Sequence, residues 1–221
     1  MLLANLRKEL SSLHQEFIKY RLVSWTSGNV SARDPKTGLV AIKPSGIKYE
    51  NLTPEAIVIV NLEGKVIEGS FKPSVDCESH LYIYRNRPDI YGVAHTHSPY
   101  ATAFAAVGRS IPAALTAIAD EFGGPIKCTN YAPVGSDAIG KAILETIEHS
   151  SAVLLKHHGV FTIGISAEAA VKAAVMVEDA ARTVFLAEQL GTVKSLSLED
   201  IAKAFKKNQK DYGQKKAAPV R

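Results

Sequence analysis

Short apolar runs of strand length, joined by turns, constrain the fold of this chain more than any other feature. The runs at 39–43, 56–60 and 65–67 are rich in Val and Ile, and turn-forming residues occupy 34–38 and 61–65. Parallel neighbours need a crossover connection of about a dozen residues or more, usually a helix. The four residues between the second and third runs leave no room for one, so this part of the chain predicts antiparallel pairing.

Helical patterns surround these strands. Leucines and Phe17 spaced three or four residues apart predict an amphipathic helix over 3–21. Two further stretches, 89–97 and 152–164, predict buried strands. The other predicted helices run from about Asp76 to Arg85, from Ser98 to Gly108, from Ser136 to about His149, from Ser166 to Gly191, and from the SLED stretch at 197–200 onward. This mixture predicts an α/β sandwich with a largely antiparallel central sheet.

The composition is that of a globular protein with one domain. The 221 residues are 46% hydrophobic and 22% charged, and we expect a single domain over 1–221. No apolar run has the length of a membrane span, and the first residues lack the basic-then-apolar order of a signal peptide. The two cysteines, Cys77 and Cys128, form no CxxC motif. A cytoplasmic location is therefore expected, without a membrane partner.

The positive charge is concentrated in the last residues. Residues 203–221 contain six Lys and one Arg against one Asp, a net charge of +6, so the rest of the chain carries −2 of the total +4. A basic C-terminal tail on a slightly acidic body is typical of a solvated helix end. The charge pattern argues against a nucleic-acid partner.

Two histidines at the end of a predicted strand form the first candidate site. His95 and His97 are two residues apart, so their side chains lie on the same face and can bind one cation. A third ligand is available from His157 or His158, only one of which can join the pair, and Asp76 can supply a carboxylate. Three His and one carboxylate suit zinc with an exchangeable position. His80 is interpreted as a packing residue, and His14 and His149 as residues on exposed helix faces.

Three polar, glycine-containing stretches predict an anion site. Small hydroxylated residues, free backbone N–H groups and a helix N-terminus together favour phosphate. The residues concerned are Thr26, Ser27, Gly28, Asn29 and Ser31 in the first stretch, Lys43, Ser45 and Gly46 in the second, and Ser74 in the third.

The order of these motifs resembles the class II aldolase/adducin family. GNVS at 28–31, KPSG at 43–46, KPSVD at 72–76, HTH at 95–97 and HHG at 157–159 match it over about residues 5–190. The resemblance implies a class II aldolase-like α/β/α sandwich and a homotetramer with active sites between subunits. It also implies Zn²⁺, with Mn²⁺ or Co²⁺ as alternatives. The implied metal ligands are Asp76, His95, His97 and His158, and the implied phosphate-binding residues are Gly28, Asn29, Ser45, Gly46, Ser74 and Val75.

Within the family, four residues favour the epimerase branch. Asp76 stands where the aldolase branch carries Glu, Asp120 and Thr116 match epimerase positions, and the KDYGQ stretch offers Tyr212. The implied reaction converts L-ribulose 5-phosphate to D-xylulose 5-phosphate by retro-aldol cleavage and re-addition through an enediolate. Asp120 and Tyr212 would act as acid and base on opposite faces of the substrate.

Other functions stay open on the sequence. Val75 replaces a Ser common to both branches, and the short segment 128–140 resembles the aldolase branch, so an L-fuculose-1-phosphate type aldolase is the alternative. A non-catalytic, adducin-like interaction domain would keep the fold without the metal ligands, yet every ligand position is filled. A zinc hydrolase is also conceivable, but no HExxH-like glutamate accompanies the histidines.

Overall fold

The structure is a computed structural model that describes residues 1–211, with side chains through residue 208. In this part of the chain, one seven-stranded sheet has the order β4-β3-β2-β1-β5-β7-β6, and all of its neighbours pair antiparallel. The strands are β1 Asn29–Arg33, β2 Val40–Ile42, β3 Val58–Val60, β4 Val66–Glu68, β5 Gly92–Thr96, β6 Ala152–Leu155 and β7 Gly159–Gly164. The predicted antiparallel sheet is confirmed.

Helices cover both faces of this sheet. The α-helices are α1 Ala4–Lys19, α2 Cys77–Asn86, α3 Pro99–Ala106, α4 Thr116–Phe122, α5 Ala138–Ile147, α6 Ala167–Leu190 and α7 Leu198–Asp211, with a short 3₁₀ turn at Tyr49–Asn51. Ser166 caps α6 by accepting a hydrogen bond from the backbone N–H of Ala169, as the sequence predicted. Helix α4 was not predicted from the sequence, and it carries Asp120 in its interior.

The alternation of side chains along the strands separates two cores. On one face, Val93, Val153 and Phe161 pack under α2 and α5. On the other face, residues such as Leu154 and Val160 pack under α3, α4, α6 and α7, while α1 covers the β1–β3 side of that face. Successive strand residues point to opposite faces, so each strand contributes to both cores. The result is the α/β/α sandwich that the sequence predicted.

The register of the three central strands positions the candidate site. Asn29 of β1 lies opposite His95 of β5, and His95 lies opposite Phe161 of β7. Residues directly opposite in an antiparallel pair project to the same face. Asn29, His95 and Phe161 therefore form a row on the face that α2 covers. No helix within residues 1–211 is both long and apolar enough to cross a lipid bilayer.

Candidate functional site

Three histidines converge at the end of the sheet. The candidate ligand atoms of His95, His97 and His158 all lie within 4.8 Å of one another. His95 and His97 extend from the end of β5, and the Nε2 atoms of the two rings are 2.9 Å apart. Tetrahedral zinc with Zn–N bonds of about 2.0–2.1 Å separates its nitrogens by about 3.3 Å. The spacing of the His95–His97 pair is thus close to the one that a zinc ion requires.

The protonation of these rings suits metal binding. His95 is completely buried, and its Nδ1–H donates to the carbonyl oxygen of Val160 at 2.9 Å, which leaves the lone pair of Nε2 available. Burial lowers the pKa of His95 to about 3 and also lowers the pKa of His97 and His158. Neutral imidazoles are the form that binds a metal. In addition, Nδ1 of His158 is buried without a hydrogen-bond partner among the described residues. The residues present therefore fit a divalent metal with nitrogen ligands.

A tight turn brings His158 rather than His157 to this group. The β6–β7 hairpin turns through 156–158, where His157 adopts a left-handed backbone conformation (φ 61°) and its side chain is exposed. His158 follows it and turns toward His95, with ring centroids 4.8 Å apart. The sequence left open whether His157 or His158 joins His95 and His97, and this turn selects His158.

Gly159 permits the close approach of the rings, a role that the sequence did not reveal. A Cβ atom at this position would lie 2.5 Å from the carbonyl oxygen of Thr96, 3.1 Å from His97 Cδ2 and 3.2 Å from His95 Cε1. Any side chain would therefore push β7 away from the end of β5. The signal available in the sequence was the glycine that follows the two histidines.

Asp76 lies beside the histidines but outside the group of converging ligand atoms. It occupies the N-cap position of α2, and its Oδ2 accepts hydrogen bonds from Asn29 Nδ2 at 2.7 Å and from Ser74 Oγ at 3.4 Å. Burial raises the pKa of this carboxyl, but His95, His80 and the Asn29 amide outweigh it, so the pKa lies below its ordinary value. Asp76 is therefore an anion oriented at the edge of the site.

The predicted anion loops lie next to each other. Pro44 and Pro73 form an isolated antiparallel bridge, flanked by backbone hydrogen bonds from Ser45 N–H to the Lys72 oxygen and from Ser74 N–H to the Lys43 oxygen, both 3.0 Å long. This bridge joins the second and third predicted stretches. Of the residues concerned, Ser74 is buried, whereas Ser45, Gly46 and Val75 are exposed to solvent. The two loops form one surface.

Lys43, in the second of these loops, is a buried cation. Its side chain is only 2% exposed, and its ammonium group donates to the carbonyl oxygens of Thr26 at 3.0 Å and Pro44 at 3.4 Å. Among residues 1–208 no carboxylate pairs with it. Burial lowers the pKa of Lys43 to about 8, an effect that the negative charge of Asp76 opposes. A buried ammonium group without an anion is costly, so this position favours binding of an anionic ligand.

The first anion loop is fixed by two residues that the sequence analysis did not assign. The Tyr49 hydroxyl donates to the carbonyl oxygen of Ser27 at 2.6 Å, and His14 Nε2 accepts from the backbone N–H of Val30 at 3.0 Å. Gly28 between them has φ 74°, and a Cβ there would lie 2.9 Å from the backbone oxygen of His95. The expectation that His14 is exposed was wrong: it is fully buried, because α1 packs this face on the sheet.

Two residues predicted to act on the substrate, Thr116 and Asp120, do not join the histidines. Thr116 begins α4 and is exposed, and Asp120 is half-buried in the same helix. Helix α4 packs on the face of the sheet opposite to the one that carries His95. Tyr212 lies outside the described residues. The described residues thus bring the candidate metal and anion residues near one another and place Asp120 apart from them.

Comparisons with known proteins agree with this architecture. The Class II Aldolase and Adducin N-terminal domain family matches residues 8–185. The L-ribulose-5-phosphate 4-epimerase UlaF of Salmonella paratyphi B is 39% identical in an alignment of 195 residues that covers 82% of this chain and 85% of that protein. A solved L-fuculose 1-phosphate aldolase superimposes with a TM-score of 0.88 at 29% identity, covering 93% of this chain and 96% of its own.

A more distant structure shares the fold. The L-fuculose-1-phosphate aldolase from Thermus thermophilus superimposes with a TM-score of 0.74 at 24% identity, covering 87% of this chain and 100% of its own.

The chain belongs to the class II aldolase and adducin family. Within that family it is an enzyme of the epimerase and aldolase type.

Proposed function

We propose that this enzyme is a zinc-dependent L-ribulose-5-phosphate 4-epimerase, which forms D-xylulose 5-phosphate. The observation that carries the proposal is the 39% identity to such an epimerase over most of both chains. The three converging, neutral histidines support it because they form a site that fits a metal. Both the substrate and the inversion at C4 are part of what we propose.

The metal residues in this proposal are Asp76, His95, His97 and His158. The histidines supply neutral nitrogen ligands, and Asp76 supplies a carboxylate that Asn29 orients. When bound, zinc acts as a Lewis acid that stabilises the negative charge of an enediolate. Mn²⁺ or Co²⁺ could serve at the same ligands. The sheet register and Gly159 allow the three rings to lie close together.

The anion residues hold the phosphate of the substrate in this proposal. Lys43 offers a desolvated positive charge without an anion of its own. Exposed Ser45 and Gly46 add a hydroxyl and backbone N–H groups, and Ser74 with Val75 adds the start of α2. Hydrogen bonds to charged partners are about twice as strong as neutral ones. Phosphate binding would then place the sugar carbons next to the histidines.

The proton transfers need groups on both faces of the substrate. We assign the C4 hydroxyl proton to Asp120 and Tyr212, one for cleavage of the C3–C4 bond and one for re-addition to the other face. Because α4 and His95 lie on opposite faces of one sheet, we propose that Asp120 acts in the site of a neighbouring subunit. Thr116 at the start of α4 would contact the substrate there. This arrangement requires a homotetramer or another closed assembly, which we place in the cytoplasm.

A sugar-phosphate aldolase of the L-fuculose-1-phosphate type is the second candidate. The TM-score of 0.88 to such an aldolase favours it, and so does the short segment 128–140, which resembles the aldolase branch. Both candidates use the same metal and anion residues. They differ in what happens after the C–C bond breaks: an aldolase releases the aldehyde, whereas an epimerase rotates it and re-forms the bond.

One assay separates the candidates. Purified enzyme loaded with Zn²⁺ is given L-ribulose 5-phosphate while D-xylulose 5-phosphate is followed, and cleavage of L-fuculose 1-phosphate is measured in parallel. Rapid epimerisation that a chelator abolishes, with little cleavage, is the expected result. Cleavage without epimerisation would instead identify an aldolase. A protein that binds no metal and turns over neither substrate would overturn both proposals in favour of a non-catalytic domain.

A further inference from the structure

Helix α3, which begins two residues after His97, is capped by a residue from another helix. Ser98 occupies the N-cap position, but its side chain accepts no capping hydrogen bond. The Glu178 carboxylate of α6 takes this place: Oε1 accepts from the backbone N–H of Tyr100 and Oε2 from that of Ala101, both at 2.9 Å. The helix dipole also favours an acidic group at this end. One carboxylate thus fixes the start of α3 to α6.

This carboxylate satisfies the free donors in the first turn of α3. Pro99 has no N–H group, and the N–H of Thr102 donates to the Ser98 carbonyl oxygen at 2.9 Å. In this turn the N–H groups of Tyr100 and Ala101 therefore need a partner from outside the helix. Two neighbouring donors require two acceptor oxygens, which a carboxylate supplies and an amide side chain does not.

The surroundings of Glu178 leave its carboxylate to α3. Glu178 is half-buried, next to Val177 of α6, which is part of the core. Among residues 1–208 it forms no ion pair. Tyr100 packs against Phe185 at the same interface between the two helices, with ring centroids 5.6 Å apart. Burial of a charged group is costly unless it is hydrogen-bonded, so the two backbone bonds explain how a carboxylate is accommodated here.

His97 depends on the backbone at this point more than His95 does. The His95 ring is buried and donates to the Val160 carbonyl oxygen. The His97 ring is exposed, lies beyond the last residue of β5, and among residues 1–208 has only the His95 ring within hydrogen-bonding distance. Backbone contacts therefore set its position: its N–H donates to the Leu22 carbonyl oxygen at 3.2 Å, and Glu178 holds the chain three residues later.

We propose that Glu178 is a positioning residue for the metal centre, because it fixes the start of α3 and thereby the backbone that carries His97. The inference rests on the proposed role of His97 as a metal ligand. Residues behind the ligands commonly orient them, and their loss typically costs 10- to 100-fold in metal affinity. Glu178 itself contacts neither metal nor substrate.

A second carboxylate of α6 provides a matched control. Glu188 pairs with Arg109, which follows the end of α3, so it also holds this region to α6 but far along the chain from His97. Zn²⁺ affinity of the full chain, measured by competition with a chromogenic chelator, should fall about 10-fold in Glu178→Gln and stay within about twofold in Glu188→Gln. Equal affinities in the two variants, whether both unchanged or both reduced, would overturn the inference, because general loosening between the helices would not distinguish them.

A variant of the ligand itself separates failure of the inference from failure of the proposed function. If His97→Ala binds Zn²⁺ weakly while Glu178→Gln binds it like the parent, only the inference fails. His97→Ala with parental affinity would exclude His97 as a ligand and the inference with it. A parent protein that binds no Zn²⁺ would overturn the proposed function and this inference together.

A second pair of variants guards against loss of folding in Glu178→Gln. Unfolding midpoints of the metal-free proteins show whether they fold. If Glu178→Gln does not, Glu178→Asp and Glu188→Asp replace the first pair. Asp keeps the charge but is one methylene shorter, so Glu178→Asp should still bind Zn²⁺ more weakly than Glu188→Asp. Equal Zn²⁺ affinities in this pair would overturn the inference in the same way.

Discussion

The histidine site (Asp76, His95, His97 and His158) and the α4 segment (Thr116–Phe122) differ in how completely one chain builds them. In the histidine site the rings converge, His95 is fixed by Val160, and Asp76 is held by its neighbours. In the α4 segment, Ile118, Ala119 and Phe122 pack into the core, while Thr116 is exposed and Asp120 half-buried. One region brings candidate ligand residues together within one chain, and the other is a helix that presents polar residues at a surface.

This difference suggests that one region binds the metal and the anion and the other supplies acid/base groups. Binding of a metal and an anion needs several groups fixed within a few ångströms, which strand register and tight turns achieve within one chain. Acid/base groups for the opposite face of a substrate must approach from elsewhere, and we expect another subunit to provide them. The predictions below test this division, beginning with the largest effect.

Removing a ring from the histidine site should abolish function. His95→Asn is expected to lose both bound zinc and turnover, because its Nε2 lies at the centre of the converging group. The measurements are metal content after dialysis and the rate of epimerisation. His157→Asn is the matched control, since that exposed histidine lies one position from His158 but outside the group, and its activity should stay within about twofold. Loss of metal in the His157 variant instead would reverse the ligand assignment.

Removing the carboxylate of the α4 segment should separate chemistry from metal binding. Asp120→Asn is expected to keep its zinc and to lose about 10²- to 10⁴-fold in epimerisation rate, the range of general acid–base catalysis. Metal content and kcat are measured on the same preparation. A variant that epimerises at the parental rate would show that Asp120 has no catalytic role.

Mixing the two inactive variants tests whether the α4 segment of one subunit serves the histidine site of another. When His95→Asn and Asp120→Asn proteins are dissociated together and reassembled, some interfaces combine an intact histidine site with an intact α4 segment. Partial recovery of activity is expected if the acid/base group serves a neighbouring subunit. Reassembled mixtures without activity, from proteins that each regain their oligomeric state, would place both regions in the same subunit's site.

The buried cation should control affinity for the phosphate. Lys43→Met keeps much of the side-chain volume and removes the charge, so KM for a phosphorylated substrate should rise about 10- to 100-fold, because hydrogen bonds to charged groups contribute about 1.5–3 kcal/mol. Zinc content should be unchanged. Lys65→Met is the control, since Lys65 is exposed just before β4. Equal KM values in the two variants would remove Lys43 from the phosphate site.

The smallest expected effect concerns packing around the rings. Gly159→Ala introduces a Cβ 2.5 Å from the carbonyl oxygen of Thr96, and we expect a loss of about 1–3 kcal/mol in the free energy of unfolding. Zinc affinity should weaken as well. Gly124→Ala is the control, because nothing lies within 4 Å of its added Cβ. Denaturant unfolding of both variants measures the difference, and similar stabilities would mean that the hairpin tolerates the methyl group.

Several parts of the fold and the site could be predicted from residue patterns. The β-like runs and short turns predicted the antiparallel sheet, and the spacing of His95 and His97 placed both rings on one side of a strand end. Helix α4 was missed because it has only seven residues and its N-cap residue, Leu115, makes no side-chain capping hydrogen bond. His14 was misjudged although its spacing from Leu10 and Phe17 places it on the apolar face of α1, the face that packs on the sheet.

The sequence by itself determined the residue types available for chemistry and their order: two histidines on a strand, two more before a glycine, a carboxylate at a helix start and a lysine beside small polar loops. Only the tertiary structure decided which of them meet. A left-handed residue at 157 selected His158, strand register aligned Asn29 with His95, and sheet packing separated Asp120 from both. These outcomes depend on contacts between residues distant in the chain, which local periodicity does not encode.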